Sequence, residues 1–349
     1  MAAPHVTNFA DMVAGTLNAF GPIDVISQIA QSKQRYEVLS KWFRQDRVME
    51  GSGLQVQRSV MVSDSGAARH VQPTEEDNVN IADLMKTVKV DWVHAETSWA
   101  VIYQHTLMNR APSEIFDAIQ VQRTGSMLSL YDEMENKMWG AAPASSNTTD
   151  PCNVKYWVTN TAASPTPGFN GTYASGASST PGTIDPSVYT NWKNYNGIYV
   201  SVSKADLIKK MRDAHHYINF ISPLNAKESM GSVGEDCRVY AGRPTVSSME
   251  DVGEAQNENL GRDIASIDGW NLLFRGCPII SVSALDSDST DPVFMLNHRH
   301  FNVHVLKGDY LRESRNTAPR QHNVEEYFVD LTYNCTCDNR RAQAVLTTS

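Results

Sequence analysis

Two alternating segments separated by a polar stretch constrain this chain most. Residues 54 to 62 read Leu-Gln-Val-Gln-Arg-Ser-Val-Met-Val, with Leu54, Val56, Val60 and Val62 on one face, broken only by Arg58. Residues 86 to 94 alternate too, with Val88, Val90 and Trp92 on one face and Thr87, Lys89 and Asp91 on the other. Alternation with period two is the signature of half-buried strands. The residues between the segments are rich in Ser, Gly, Asp, Glu and Asn. This predicts a long two-stranded ribbon over 51–95 with a polar tip. Two strands alone are marginal in water, so the ribbon calls for a covering surface, and neighbouring subunits are expected to supply it.

A chain of 349 residues exceeds the usual size of one core, which predicts two domains or lobes. No run of about 18 apolar residues occurs, so no transmembrane helix and no membrane partner are expected. The N-terminal residues lack a basic start followed by an apolar run, so no secretory signal is expected. Five cysteines, few and odd in number, fit reduced thiols in a cytoplasm. A net charge of −9 argues against a dedicated nucleic-acid binder, but is compatible with lining a container that holds nucleic acid. The local basic groups, Asn339-Arg-Arg341 and Lys209-Lys210, read as a solvated tail and helix end.

Along the chain, residues 22 to about 44 read as a helix, with Pro22 in its first turn and Tyr36, Leu39 and Phe43 at helical spacing. After the ribbon comes the strongest helix signal, Pro112 to Trp139. Ile115, Ile119, Met127, Tyr131, Met134 and Met138 lie along one stripe, and Gly140 stops it. At about 1.5 Å per residue this helix is on the order of 40 Å long. Gln122 and Arg123 interrupt the stripe, so its middle is exposed or faces a partner. Residues 141–200 are rich in Ser, Thr, Gly, Asn and Pro, with anchoring aromatics. Ser203-Lys-Ala-Asp206 and Ser247-Ser-Met-Glu250 read as capping boxes that open two further helices. Residues 271–284, 293–311 and 327–336 read as strands. The order predicts an α+β fold in which the C-terminal strands return beside the long helix.

Several groupings invite a chemical reading. On one continuous strand His298, His300 and His304 share a face, which would offer three imidazoles to a metal. Neighbours at i and i+2 lie nearly 7 Å apart on a strand, however, and no nearby Glu completes a site, so no metal, cofactor or catalytic residue is assigned. Cys335-Thr-Cys337 has the wrong spacing for a redox or zinc knuckle and reads as core. His215-His216 are adjacent on a helix and cannot share a face. Asp286, Asp288 and Asp291 lack the turn glycine and closing glutamate of a calcium loop.

The second half of the chain then shows a series of distinct short blocks. They are Asn257-Glu-Asn-Leu-Gly261, Asn271-Leu-Leu-Phe-Arg-Gly-Cys-Pro-Ile279 and Pro292-Val-Phe-Met-Leu-Asn-His-Arg-His-Phe301. Leu306-Lys-Gly-Asp-Tyr310 and Phe328-Val-Asp-Leu-Thr-Tyr-Asn-Cys-Thr-Cys-Asp-Asn-Arg-Arg341 follow. Upstream stand Leu107-Met-Asn-Arg110, Met138-Trp-Gly140, Lys155-Tyr-Trp157, Gly168-Phe-Asn-Gly171 and Trp192-Lys-Asn-Tyr195. In order and spacing this set resembles the major capsid proteins of tailed bacteriophages.

That resemblance implies a phage major capsid (Hong Kong 97-like) fold, with residues 1–50 an N-terminal arm and 51–95 an extended loop. Residues 96–140 and 291–349 would form a peripheral domain around a spine helix, and 141–290 an axial domain. It implies a virion shell of hexamers and pentamers, assembled in the host cytoplasm around double-stranded DNA. Scaffolding, portal and decoration proteins would be partners, with a separate scaffold because no long charged helix precedes the arm. Arg58, Arg69, Glu75, Glu76 and Asp77 are the expected charged intersubunit contacts, and Trp42 and Phe43 the apolar ones. Two other readings remain open: an encapsulin-like bacterial nanocompartment shell, and a metal-dependent enzyme using the three histidines.

Overall fold

The computed structural model describes residues 33, 35–70, 72, 83–103, 118–161, 163–219, 236–257, 272–316 and 322–348. It opens on a π-helical turn, Val38–Phe43, followed by β1 (Val48–Glu50), β2 (Gln55–Met61) and β3 (Met85–Asp91). β4 (Val93–Ile102) leads to the long helix α1 (Ala118–Trp139). The short helix α2 (Val154–Trp157), β5 (Gly168–Gly171), β6 (Asn194–Ile198) and helix α3 (Leu207–Ile218) come next. Then follow β7 (Cys237–Ala241), helix α4 (Arg243–Asn257), β8 (Leu273–Phe274) and β9 (Cys277–Ser281). β10 (Val293–Asn297), β11 (Phe301–Leu306), β12 (Arg312–Arg315), β13 (Val324–Cys337) and β14 (Ala344–Thr347) complete the chain.

β13 organises one sheet. Along one edge it pairs antiparallel with β4 over its N-terminal ten residues, from Val324↔Ile102 to Tyr333↔Val93. Along the other it pairs with β12 and then β11, and β1 joins β11 in parallel. Alternation sets the faces: Val329, Leu331 and Tyr333 are buried on one side, while Thr332 opposite is half-exposed. Helix α1 lies across the buried side, where Ser126 O accepts from Thr97 Oγ1. Leu130, Met134 and Met138 point into the core between them. Gln122 and Arg123 are exposed, and Arg123 pairs with Glu313 on β12 of the same chain. The predicted helix start at Pro112 lies outside the described residues.

The second sheet has the order β5-β6-β14-β10-β7-β9-β8. β10 and β14 therefore stand at the centre of this sheet and not in the domain to which the sequence reading assigns residues 291–349. Their composition explains it: Val-Phe-Met-Leu in β10 and Ala-Val-Leu in β14 are buried on both faces, as central strands require. Helix α3 covers this sheet with Leu207, Met211, Ala214 and Ile218, forming a second cluster of buried side chains. Between the lobes, Arg340 is fully buried, contrary to its reading as part of a solvated tail. Its guanidinium donates to the carbonyls of Trp157, Trp192 and Thr172 at 2.7–2.9 Å and to Asn194 Oδ1. Burial lowers its pKa to about 10. Four donated hydrogen bonds offset the desolvation of the charge.

Two strands are shorter than their sequence pattern. Arg275 and Gly276 both take positive φ, making a two-residue hairpin turn that splits 271–284 into β8 and β9. Residues 298–300 form a turn between β10 and β11. Helix α4 starts at Arg243, ahead of the Ser247 capping box. Pro244 suits a first turn, and Asp286 Oδ1 accepts from the Arg243 N–H. Ser203 does accept from the Asp206 N–H, but Asp206 caps the N–H groups of Val200 and Ser201 instead of reaching back to Ser203. Among the described residues no helix is long and apolar enough to cross a membrane.

Candidate assembly surfaces

The described part of the arm is anchored in its own subunit by Val38, Trp42 and Phe43. Trp42 and Phe43 are 1% and 0% exposed. The Trp42 ring lies 5.3 Å from those of Trp139 and Phe301, and Phe43 meets Tyr333 edge-on at 5.2 Å. Trp42 Nε1 donates to the Tyr240 hydroxyl, which lies 2.8 Å from His298 Nε2. Burial holds His298 neutral, with a pKa near 3, and raises that of Tyr240. Trp42 and Phe43 are thus anchors of the arm on its own body, which corrects their expected role as contacts with a neighbour: no surface is left on either. Beneath them Glu135 accepts from the Val38 N–H at 3.0 Å and from Trp139 Nε1 at 2.9 Å. Burial raises its pKa to about 7 despite these hydrogen bonds.

Arg58 is likewise engaged within the chain. Its guanidinium pairs with Glu50 on β1 at 2.5 Å and lies 3.4 Å from His304 Nδ1 on β11. Glu50 in turn lies 3.0 Å from the same imidazole nitrogen, and His304 Nε2 is 2.8 Å from Thr336 Oγ1. This cluster ties the ribbon to the sheet of β13 through Arg58, whose side chain is still 38% exposed.

The ribbon itself is β2 paired with β3, from Gln55↔Asp91 to Met61↔Met85. The apolar face is covered by the subunit: Val62, Val88 and Val90 join the main core, and Val56 is buried. Gly182, at φ 65°, comes so close that a Cβ there would stand 2.7 Å from Val88 and 2.8 Å from Trp157. Thr183 Oγ1 donates to Thr87 O, and Asn191 Nδ2 to Val62 O. The expectation that this stretch needs a neighbour to cover it is therefore corrected for residues 55–62 and 85–91. Leu54 escapes the pattern at 93% exposed, and Trp92 closes the root by donating to Gly53 O. From Asp64 to His70 the chain is exposed and without regular structure, and Arg69 lies there. Glu75, Glu76 and Asp77 lie outside the described residues.

The outer ribbon face carries a feature the sequence reading missed. Met61 and Met85 are directly opposite each other and are 70% and 60% exposed. The available signal was an apolar residue at the end of each polar face. Beside them a groove of about 750 Å³ runs between the ribbon and the body, lined by Ser63, Asn191, Tyr217, His300 and Arg341.

The three histidines do not converge. His298 and His300 sit in the turn before β11, and His304 points into the Glu50–Thr336 site. Two of the three already meet side chains inside the core, which removes the basis for the metal-enzyme reading. The acidic loop is also engaged internally, with Asp288 paired to Lys155 at 2.5 Å and capping Thr290. Cys335 and Cys337 are both fully buried on one face of β13.

No protein-family model and no curated protein matches this sequence. Solved structures do match its fold. The chain is similar to that in the capsid asymmetric unit of cyanophage A-1(L), with 10% identity and a TM-score of 0.62 over 87% of this chain and 91% of the other. The mature capsid asymmetric unit of bacteriophage PhiM1 gives a TM-score of 0.52 at 9% identity, covering 93% and 90%. The holo-SrpI encapsulin complex from Synechococcus elongatus PCC 7942 gives 0.51 at 13% identity, covering 100% and 96%. An arm, a ribbon, a long helix across one sheet and a second sheet of returning strands are thus arranged in the α+β fold of phage capsid proteins.

Proposed function

We propose that this chain is the major capsid protein of a tailed bacteriophage, with many copies closing into an icosahedral shell around double-stranded DNA. The observation that supports this reading most is the capsid fold extending over 87% of the chain. The role is structural and not catalytic. Heterologous contacts would gather subunits into hexamers and pentamers whose rings close into the shell. Residues 1–50 act as the arm and 51–95 as the extended loop. Residues 96–140, with β11 to β13, form the peripheral domain, and 141–290, with β10 and β14, the axial domain. The ribbon tip, residues 64–84, lies over a neighbour, with Arg69, Glu75, Glu76 and Asp77 as charged contacts. Scaffolding, portal and decoration proteins are partners, assembly takes place in the host cytoplasm, and the acidic chain encloses DNA without gripping it.

A bacterial nanocompartment shell is the second reading, supported by a likeness to an encapsulin complex over 100% of this chain. Electron microscopy of the full chain, expressed alone and with its scaffold, tests both. Closed shells are expected, and uniform monomers under every condition would overturn both readings. Shells that fill with DNA belong to a phage head; shells that capture a protein cargo belong to a nanocompartment. Deleting residues 64–84 should leave a folded subunit, by circular dichroism and melting, that yields few and fragile shells. Normal shells from the deletion would remove the ribbon's clamping role.

A further inference from the structure

The outward face of the β13 sheet carries a charge pattern that shell formation does not account for. On β4, His94 and Glu96 are both exposed. Across the strand pair His94 faces Thr332, and Glu96 faces Asp330. Two carboxylates directly opposite each other on an antiparallel pair repel. A third, Asp309, lies beside them, with its Oδ2 3.7 Å from His94 Nδ1. Arg312, opposite Asp330 on β12, pairs with both aspartates, at 2.9 Å to Asp330 and 3.2 Å to Asp309. That one cation answers the two aspartates and leaves Glu96, which no cationic side chain among the described residues pairs with.

The imidazole completes a ligand set. His94 Nε2 is 3.7 Å from Asp330 Oδ1, and one ligand atom from each of His94, Glu96 and Asp330 lies within 4.8 Å of the other two. Among the described residues this is the grouping of three potential metal-ligand side chains. Around a tetrahedral ion with bonds of about 2.0–2.2 Å, ligand atoms stand about 3.4 Å apart. The gap closes by a small swing of two exposed side chains, His94 and Glu96, onto Asp330, which Arg312 holds in place.

We propose that His94, Glu96 and Asp330 form a binding site for a divalent transition-metal ion that clamps β4 to β13. Imidazole nitrogen with two carboxylate oxygens favours zinc or a neighbouring first-row ion. Calcium prefers six to eight oxygens, and magnesium a near-octahedral oxygen shell. Water or a group from outside the chain fills the remaining positions on the exposed side. The site is independent of the shell reading, because all three ligands belong to one sheet of one subunit.

The test uses the full chain, stripped with chelator, exchanged into chelator-free buffer and titrated with zinc chloride by calorimetry alongside thermal melts. One equivalent per chain is expected, with a rise in melting temperature. His94→Gln and Glu96→Gln should each weaken binding by at least the roughly 10–100-fold that even an outer-shell partner is worth, and abolish the thermal shift. Both side chains are exposed, so neither variant should unfold the metal-free chain, and Glu96→Gln, which relieves the repulsion from Asp330, should melt at or slightly above the metal-free parent. His216→Gln, an exposed histidine on α3, should change nothing. Absence of binding to the parent chain would overturn the site, as would undiminished binding in both ligand variants.

Discussion

The arm and the ribbon both leave the body of the subunit as segments too short to fold alone, yet they are held in opposite ways. The described end of the arm is pinned by its apolar side chains: Val38, Trp42 and Phe43 are at most 1% exposed, and Trp42 touches four ring systems, while Arg44, Gln45 and Arg47 beside them are exposed. The ribbon is buried on one face only. Val56, Val62, Val88 and Val90 are hidden, while Met61 and Met85 stand out on the other face. Side chains buried this completely are part of the fold and have nothing left to offer a partner. A segment buried on one face keeps a second face for use. The difference leaves a free apolar surface on the outer face of the ribbon and none on Val38, Trp42 or Phe43.

Truncating the arm's anchor should give the largest effect. Trp42→Ala should destabilise the subunit by about 3–5 kcal/mol, the usual cost of emptying a large aromatic site. Urea denaturation would measure it. A loss below about 1 kcal/mol would mean that the arm is not part of the cooperative fold.

A smaller, pH-dependent effect should come from Glu135, under the same arm. Its folded pKa, about 7, lies above the ordinary carboxylate value of 4.5 because burial disfavours the anion. The folded chain therefore holds a proton that the unfolded chain releases. Its contribution to stability is fully present below pH 4.5 and is lost as pH rises through 7. The parent should lose on the order of 1–3 kcal/mol between pH 5 and 8 through this group. Glu135→Gln should flatten that slope, read from urea midpoints across the range. An identical slope in the variant would assign the titration elsewhere.

How much of this was legible in the sequence follows the same division. The ribbon, the long helix and the return of β13 beside it could be read because each repeats a simple period over many residues. The strand boundaries could not. Arg275-Gly276 and residues 298–300 break apolar runs by adopting turn geometry, and alternation does not record backbone angles. The sheet to which β10 belongs depends on partners far away in the chain, Tyr240 and Val345 among them. Arg340 shows the same limit for single residues. In sequence it is one of two adjacent arginines near the C-terminus; in the fold, carbonyls from three distant segments surround it. Arg58 and Trp42 had the right residue types for intersubunit contacts, but sequence pattern does not distinguish a partner in another subunit from a partner in the same one. The cluster of His94, Glu96 and Asp330 was invisible because it depends on the register between β4 and β13, separated by more than two hundred residues.

The smallest expected change in stability tests the comparison most directly. Met61 and Met85 are mostly exposed, so replacing both with serine should alter the subunit's unfolding free energy by no more than about 0.5 kcal/mol. If the outer ribbon face is the one kept for a neighbour, the same change should weaken assembly. Covering a methionine side chain is worth about 1.5–3 kcal/mol, and these two form one cross-strand patch. The concentration of subunits needed to form shells should therefore rise, as followed by light scattering and sedimentation, while the urea midpoint stays in place. A fall in subunit stability comparable to that of Trp42→Ala would mean that the outer face, too, belongs to the fold. Unchanged stability together with unchanged assembly would leave the exposed chain beyond Val62 as the ribbon's only working surface.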